Sequence, residues 1–346
     1  MVSNAILFSL KMGYLTVYNE LIRNRKKHEN KREGIKMIVT VTMNPAIDKT
    51  VDVENFEAGG LNRILRSVSD AGGKGINVSK TICELGGKSI ATGFIGGGAG
   101  NKIRKVLKEW GIPEDFVEVE GETRTNTKVV DPVIGVTELN EPGPQVGEKE
   151  VEQLLKKLEG YANDDTLFVL AGSIPAGVDK GIYREITERV HKKGAKVLLD
   201  ADGELFAQSL AAAPDMIKPN RDELEKFYEL DYRPGEKELI ELGKKFLDQG
   251  ISRVTISLGQ MGALFISKEK VYKANALSVK AHSTVGAGDA MVAATAYGWD
   301  HKMSLEDTAK LSVAASAGAV TTIGTKPPKR ELVDELYEQV VLKPAE

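Results

Sequence analysis

From Met37 onward, short β-branched runs alternate with amphipathic stretches, and no other feature narrows the possible folds as much. The runs are Met37 to Thr42, Ile90 to Phe94, Leu167 to Leu170, Lys196 to Leu199, Met216 to Ile217 and Arg253 to Ser257. Between them lie Asn101 to Trp110, Val151 to Leu158, Ile182 to Val190 and Leu239 to Leu247, whose apolar residues recur at helical spacing. Ala-rich Leu305 to Thr322 and then Arg330 to Val340 continue the helical pattern to the end of the chain. Alternation of this kind predicts an α/β fold, a mostly parallel central sheet flanked by helices on both faces, in which ligands gather at the carboxyl ends of the strands. Two segments break the rhythm: Thr50 to Phe56 and Asn126 to Thr137 place polar residues at alternate positions and read as a small accessory β-sheet, with lid segments at about 48–64 and 122–140. A lid over the crevice and inconsequential surface hairpins are the two readings of it.

Charge and cysteine content restrict the partners. Residues 1–36 hold eight Lys/Arg and three Asp/Glu, so with an overall net charge of -3 the rest of the chain carries -8, which argues against a nucleic-acid partner. A single cysteine, Cys83, excludes an internal disulfide and fits a reducing cytoplasm. His28, His191, His282 and His301 lack metal-ligand spacing, and no apolar run approaches the roughly 18 residues of a membrane span. The 36-residue N-terminal extension differs in composition from the remainder of the chain. Met37 opens the first strand, and Lys31-Arg-Glu-Gly34 would be encoded by purine-rich codons resembling a ribosome-binding site. The hypothesis is therefore that translation begins at Met37, which N-terminal sequencing of the native protein checks; finding the first 36 residues attached would refute it.

Two glycine-rich turns carry the chemistry. In Ser283-Thr-Val-Gly-Ala-Gly-Asp-Ala-Met291, Gly286, Ala287 and Gly288 leave backbone N–H groups uncovered where a helix begins, an anion site, and Asp289 sits in the first turn. A carboxylate stabilised there by the helix dipole would be ionised at neutral pH and able to accept a hydroxyl proton; taken alone, the same residues are also a plain helix start. In Asp70-Ala-Gly-Gly-Lys-Gly-Ile-Asn-Val-Ser79, Gly72, Gly73 and Gly75 allow close backbone approach, Lys74 adds a charge, and Asn77 can donate to and accept from hydroxyl groups. It is not a P-loop, since Gly-Lys is not followed by Ser or Thr.

Further polar groups fall where strands end. Asp48 follows the first strand and could hold two sugar hydroxyls or cap a turn; Arg124 could clamp a phosphate; Ser173 offers a hydroxyl. Asn220 and Glu223 form the pattern of a capping box after Lys218, and Ser257-Leu-Gly259 makes a turn suited to a nucleotide's base or ribose. Leu199-Asp-Ala-Asp-Gly203 resembles the Asp-x-Asp of aspartyl-phosphate phosphatases, but lies mid-chain rather than after the first strand. Gly93 to Gly100 misses the dinucleotide spacing and reads as a tight strand-to-helix connection.

Gly72-Gly-Lys-Gly-Ile-Asn-Val-Ser79, with Gly86 and Gly96 beyond it, and Ser283-Thr-Val-Gly-Ala-Gly-Asp289 together resemble the paired signatures of the PfkB (ribokinase-like) sugar kinases, and the resemblance spans Met37 to about Leu342. Within that family, Asn44-Pro-Ala-Ile-Asp48, Thr123-Arg-Thr-Asn126, Thr137-Glu-Leu-Asn-Glu-Pro-Gly143 and Ala171-Gly-Ser-Ile-Pro175 look most like the 1-phosphofructokinase branch, with tagatose-6-phosphate kinases a close relative. The resemblance implies a ribokinase-like fold and ATP-dependent phosphorylation of fructose 1-phosphate at O6. By position, Asp289 would be the base and Gly286 to Gly288 the anion hole. Asp48, Gly72, Gly73 and Asn77 would hold the sugar, with Arg124, Arg63, Lys74 and Ser173 on its phosphate side. Lys218, Asn220, Glu223, Ser257, Gly259 and Gly288 would face the nucleotide, with Mg²⁺ arriving with ATP and held through water near Asn220 and Glu223. A homodimer through the lid sheet is also implied. The sequence departs from the family at Ser283, where many members have Asp, and at Thr295, a usually apolar position. The alternatives are a tagatose-6-phosphate kinase or 6-phosphofructokinase of the same family, a non-catalytic sugar-phosphate sensor, which would have no use for Asp289, and a phosphatase acting through Asp200 and Asp202.

Overall fold

The carboxyl end of the first strand feeds directly into a second, smaller sheet. The computed structural model describes residues 36–345, so the expected N-terminal extension falls, apart from Lys36, outside the described residues. In chain order the strands are β1 (Met37–Thr42), β2 (Ala46–Asp52), β3 (Arg66–Gly72), β4 (Ser89–Ile95), β5 (Val117–Glu118), β6 (Arg124–Asp131), β7 (Gly135–Asn140), β8 (Thr166–Ala171), β9 (Lys196–Asp200), β10 (Met216–Ile217), β11 (Arg253–Ser257), β12 (Ala263–Ser267), β13 (Val271–Ala274) and β14 (Leu342–Pro344). The helices are α1 (Lys74–Glu84), α2 (Gly97–Glu109), α3 (Glu148–Tyr161), α4 (Ile182–His191), α5 (Gly203–Ser209), α6 (Arg221–Phe227), α7 (Glu236–Asp248), α8 (Ala287–Asp300), α9 (Leu305–Ala319) and α10 (Arg330–Tyr337).

The large sheet has ten strands in the order β14-β13-β12-β11-β10-β9-β8-β1-β4-β5. From β11 through β5 every pairing is parallel, while β12, β13 and β14 extend the sheet antiparallel past β11. Successive residues of a strand point to opposite faces. Ile38 therefore packs with Leu167 and Leu198 under Val78 and Ile82 of α1 and Val292 and Ala296 of α8. Its neighbours Val39 and Val41 pack on the other face with Phe168, Leu199, Leu154 of α3, Ile186 of α4 and Phe246 of α7. Burial of each such side chain is worth about 1.5–3 kcal/mol. A strand covered on both faces therefore reads as an unbroken apolar run, the feature by which the sequence marks β1, β8 and β11.

The small sheet is ordered β3-β2-β6-β7. It differs from expectation in extent: β2 starts at Ala46 rather than Thr50, and β3, expected only as a glycine turn, forms its edge. Residues 66–69 are exposed, so this strand carries Arg-Ser-Val-Ser with no apolar run to mark it. The lid's first segment thus runs from 46 to 72 rather than 48 to 64, and Asp48 lies within β2 rather than at the carboxyl end of a core strand. Three residues after β1 the chain enters β2, and it returns from β3 into α1 through Gly73, whose φ of 108° and 2.7 Å clearance from Thr42 Cγ2 leave no room for a Cβ. Among the described residues no helix is long and apolar enough to cross a membrane.

Candidate active site

Helix α8 begins at Gly286, a left-handed residue (φ 86°, ψ −11°) that turns the chain sharply into the helix. The first intrahelical bond runs from Ala290 N–H to the Gly286 carbonyl, 2.9 Å, which leaves the N–H groups of Ala287 and Gly288 without an acceptor inside the helix. The preceding loop is pinned by the N–H groups of His282 and Ser283, both donating to the Val320 carbonyl at 2.7 and 3.0 Å. Lys218 Nζ stands 3.5 Å from where a Cβ on Gly288 would lie, so a lysine and a helix N-terminus converge on one spot. That combination attracts an anion.

Asp289 lies in the first turn and is 8% exposed; its Oδ2 accepts a 2.9 Å hydrogen bond from Asn77 Nδ2 of α1. Burial, reinforced by the nearby Asp200 charge, pushes its pKa up to about 6, against the opposing Asn77 hydrogen bond and the charges of Lys74 and Lys218. This reverses the direction expected from the helix dipole. The dipole contributes about 0.3–1 kcal/mol, whereas a rise from 3.8 to about 6 corresponds to roughly 3 kcal/mol. Asp289 therefore stays mostly ionised at neutral pH yet takes up a proton readily, as a general base requires.

Asp200, at the end of β9, organises the cations. Its side chain is about 1% exposed, with Lys218 Nζ 3.1 Å from Oδ1 and Lys74 Nζ 3.3 Å from Oδ2. Burial works against its charge, but the two lysines hold its pKa below the usual carboxylate range. Burial likewise works against the charge on Lys74, yet Asp200, Asp289 and Glu223 raise its pKa. The Asp-x-Asp pattern thus supplies a buried counter-ion. The sequence signal for it is the Asp itself: a carboxylate ending a fully buried strand must be paired.

Asp48, Thr50 and Lys128 of the small sheet line a cleft together with Asp70, Ile323, Thr325 and Lys326. Asp48 lies over Gly72, its Oδ2 2.1 Å from where a Cβ there would sit, and its Oδ1 accepts from Asn126 Nδ2 at 3.3 Å. Burial raises the pKa of Asp48, moderated by Asn126, Lys128, Lys80 and Arg124. Arg124 opens β6; its Nη2 donates to the Asn44 carbonyl at 3.0 Å and its Nη1 to the Glu141 carbonyl at 3.3 Å, while its buried Nε has no partner among the described residues. Ser173 is exposed in the loop after β8, and Lys74 passes within 3.5 Å of the Cβ position of neighbouring Gly172. Arg63 is exposed in the connection from β2 to β3. Asn126, Lys128 and the 323–326 loop escape a reading of the sequence because only the register β2–β6 sets the first two beside Asp48 and Thr50.

Asn220 and Glu223 form the expected capping box at the start of α6, with Glu223 N–H donating to Asn220 Oδ1 at 2.8 Å and Asn220 N–H to Glu223 Oε2 at 2.9 Å. Asn220 pairs with Ser257, which sets the ends of β10 and β11 side by side, with Gly259 in the turn after β11. No three His, Cys, Asp or Glu side chains converge as a metal cage among the described residues. Glu223 commits one oxygen to the cap, and burial raises its pKa. Its other oxygen is a hard ligand beside Asn220 that suits Mg²⁺ carried largely by phosphates and water. An anion-binding helix start, two lysines, a base and a hydroxyl-binding cleft together can pass an anionic group to an alcohol.

Comparison with known proteins agrees with this geometry. The family profile described as pfkB family carbohydrate kinase matches residues 41–332. A 1-phosphofructokinase of Borreliella burgdorferi is 38% identical over 281 residues, covering 81% of this chain and 90% of the relative. A tagatose-6-phosphate kinase of Staphylococcus epidermidis is 30% identical over 306 residues, 88% and 98% of the two chains. The crystal structure of Escherichia coli phosphofructokinase-2 in complex with substrates and products superposes with a TM-score of 0.83 at 28% identity, covering 88% of this chain and 99% of that one; a tetrameric inhibited form of the same enzyme is also known.

Proposed function

This chain belongs to the pfkB family of carbohydrate kinases, with the ribokinase-like fold, and we propose that it phosphorylates fructose 1-phosphate at O6 with ATP, giving fructose 1,6-bisphosphate and ADP. The observation that carries the reading is the buried Asp289 carboxylate, held by Asn77 beside the open N-terminus of α8. The O6 oxygen attacks the γ-phosphorus, its proton passes to Asp289, and the bond from the γ-phosphorus to the bridging oxygen breaks as ADP leaves. The N–H groups of Ala287 and Gly288 and the ammonium groups of Lys74 and Lys218 stabilise the charge on the transferring group. Asp48, Asn77 and the backbone at Gly72 and Gly73 orient the sugar, with Ser173 and Arg124 toward its phosphate. Lys218, Asn220, Glu223, Ser257 and Gly259 border the nucleotide. Mg²⁺ held through water near Asn220 and Glu223 would neutralise phosphate charge. The lid excludes water, which otherwise competes as acceptor.

A tagatose 6-phosphate kinase is the second reading, favoured by the 30% identical relative. Comparing kcat/KM for fructose 1-phosphate, fructose 6-phosphate and tagatose 6-phosphate decides between them. The proposal requires fructose 1-phosphate to lead; a higher value for either other sugar would replace it. For Arg124→Ala the expected outcome is a phosphosugar KM raised about 10-fold or more with ATP KM unchanged. A change confined to the ATP KM would place Arg124 on the nucleotide side.

The assembly proposed is a homodimer through the lid. Leu61, Leu65, Val133, Ile134 and Leu139 are exposed there, more apolar surface than an isolated lid would be expected to leave in water. The double variant Ile134→Glu, Leu139→Glu should sediment as a monomer while the parent sediments as a dimer; a monomeric parent would refute the assembly. Cytoplasmic residence is part of the same proposal, supported by a lone free cysteine and the intracellular nature of ATP-dependent sugar phosphorylation.

A further inference from the structure

Lys80 lies beside the site, and the phosphoryl-transfer scheme leaves its burial unexplained. It is on α1, one turn beyond Asn77, and is 0% exposed. Its Nζ donates to Asp70 Oδ2 at 2.9 Å and to the Ala71 carbonyl at 2.6 Å. Taking a lysine fully out of water is costly, and buried ion pairs often stabilise no more than apolar side chains of similar size would. Such a residue is better explained by what it holds in place than by stability.

What it holds is the end of lid strand β3. Asp70 lies directly opposite Asp48 in the β2–β3 pairing, and Ala71 and Gly72 lead straight into α1. Asp70 Oδ1 also accepts the Ala71 N–H at 2.8 Å, so carboxylate, backbone and ammonium form one closed unit. Asp48 rests over Gly72 at the edge of that unit, and a shift of β3 would carry Gly72 out from beneath it. Helix α1 thus grips both sides of the cleft: Asn77 fastens Asp289, and Lys80 fastens the strand under Asp48.

We propose that Lys80 is a positioning residue for the sugar site, clamping Asp70 and Ala71 so that the Asp48 carboxylate keeps its place over Gly72. The proposal rests on the reading of Asp48 as a ligand of sugar hydroxyls. The charged groups around Asp48 are Lys80 from α1, Asp52 from β2, Arg66 and Asp70 from β3, Arg124 and Lys128 from β6, and Lys326 from the 323–326 loop lining the same cleft. Removing the Lys80 charge makes Asp48 easier to protonate, because Lys80 is one of the cations that favour its anion.

The test measures phosphosugar and ATP affinity separately, by calorimetry on full-length protein with fructose 1-phosphate and with ATP as probes, across pH 5 to 8. For Lys80→Met the expected result is a loss of about 10-fold in phosphosugar affinity with ATP affinity within twofold, and an acid limb of phosphosugar binding moved to higher pH. Lys80→Arg should return that limb toward the parent position. Asp70→Asn, which keeps the lysine, serves if Lys80→Met does not fold, and should weaken the phosphosugar alone. Equal losses for both ligands, or unchanged phosphosugar binding in a folded variant, would overturn the proposal. A parent protein that binds no phosphosugar would instead overturn the functional reading on which it rests.

Discussion

Replacing Asp289 by asparagine should lower kcat by about 10²- to 10⁴-fold, the usual scale for losing a general base, while ATP affinity stays within a few-fold. The substitution keeps shape and the neighbouring amide of Asn77 but removes proton acceptance. Because burial and Asp200 place the carboxylate near 6, the parent kcat/KM should also fall below about pH 6, tenfold per pH unit, and level off above it. The variant should lose that limb. A variant with parental turnover would remove Asp289 from the mechanism, and a parent profile flat down to pH 4.5 would contradict the environment assigned to it.

The second large effect is expected at Asp200. Asp200→Asn leaves Lys74 and Lys218 without their shared counter-ion, and breaking a buried ion pair at one partner destabilises by about 3–5 kcal/mol. Turnover should fall by at least about 10-fold as the two ammonium groups lose their anchor. The telling sign is in the pH profile. Asp200 raises the pKa of Asp289, whereas Lys74 and Lys218 lower it, so the acid limb of the variant should move to lower pH. A limb that stays in place, together with parental stability, would show that Asp200 does not govern this cluster.

What can be read in the sequence depends on how each signal is encoded. β1, β10 and β11 fall where the apolar runs predict, and the capping box at Asn220 appears with both of its hydrogen bonds. These are local patterns, fixed by residues a few positions apart. β3 leaves no such mark because an exposed edge strand needs no apolar run, and Asp48 is misplaced along with it. The cluster at Asp200 joins residues from β9, from the start of α1 and from the end of β10, and only the packed sheet brings them together. The raised pKa of Asp289 is illegible for a similar reason. Its sequence neighbours supply a helix start, whereas the burial that outweighs the dipole comes from the rest of the fold.

Every role assigned above depends on transfer of the γ-phosphoryl group of ATP to a hydroxyl of a phosphosugar. Phosphorus NMR on a mixture of parent protein, ATP, Mg²⁺ and fructose 1-phosphate tests it most directly. The predicted result is one ADP formed for each new phosphomonoester, with the new phosphorus coupled to the C6 protons. Inorganic phosphate released from the sugar with ATP untouched would mean a phosphatase, and a spectrum in which neither ADP nor a new phosphomonoester forms would mean a sensor; either outcome would refute γ-phosphoryl transfer.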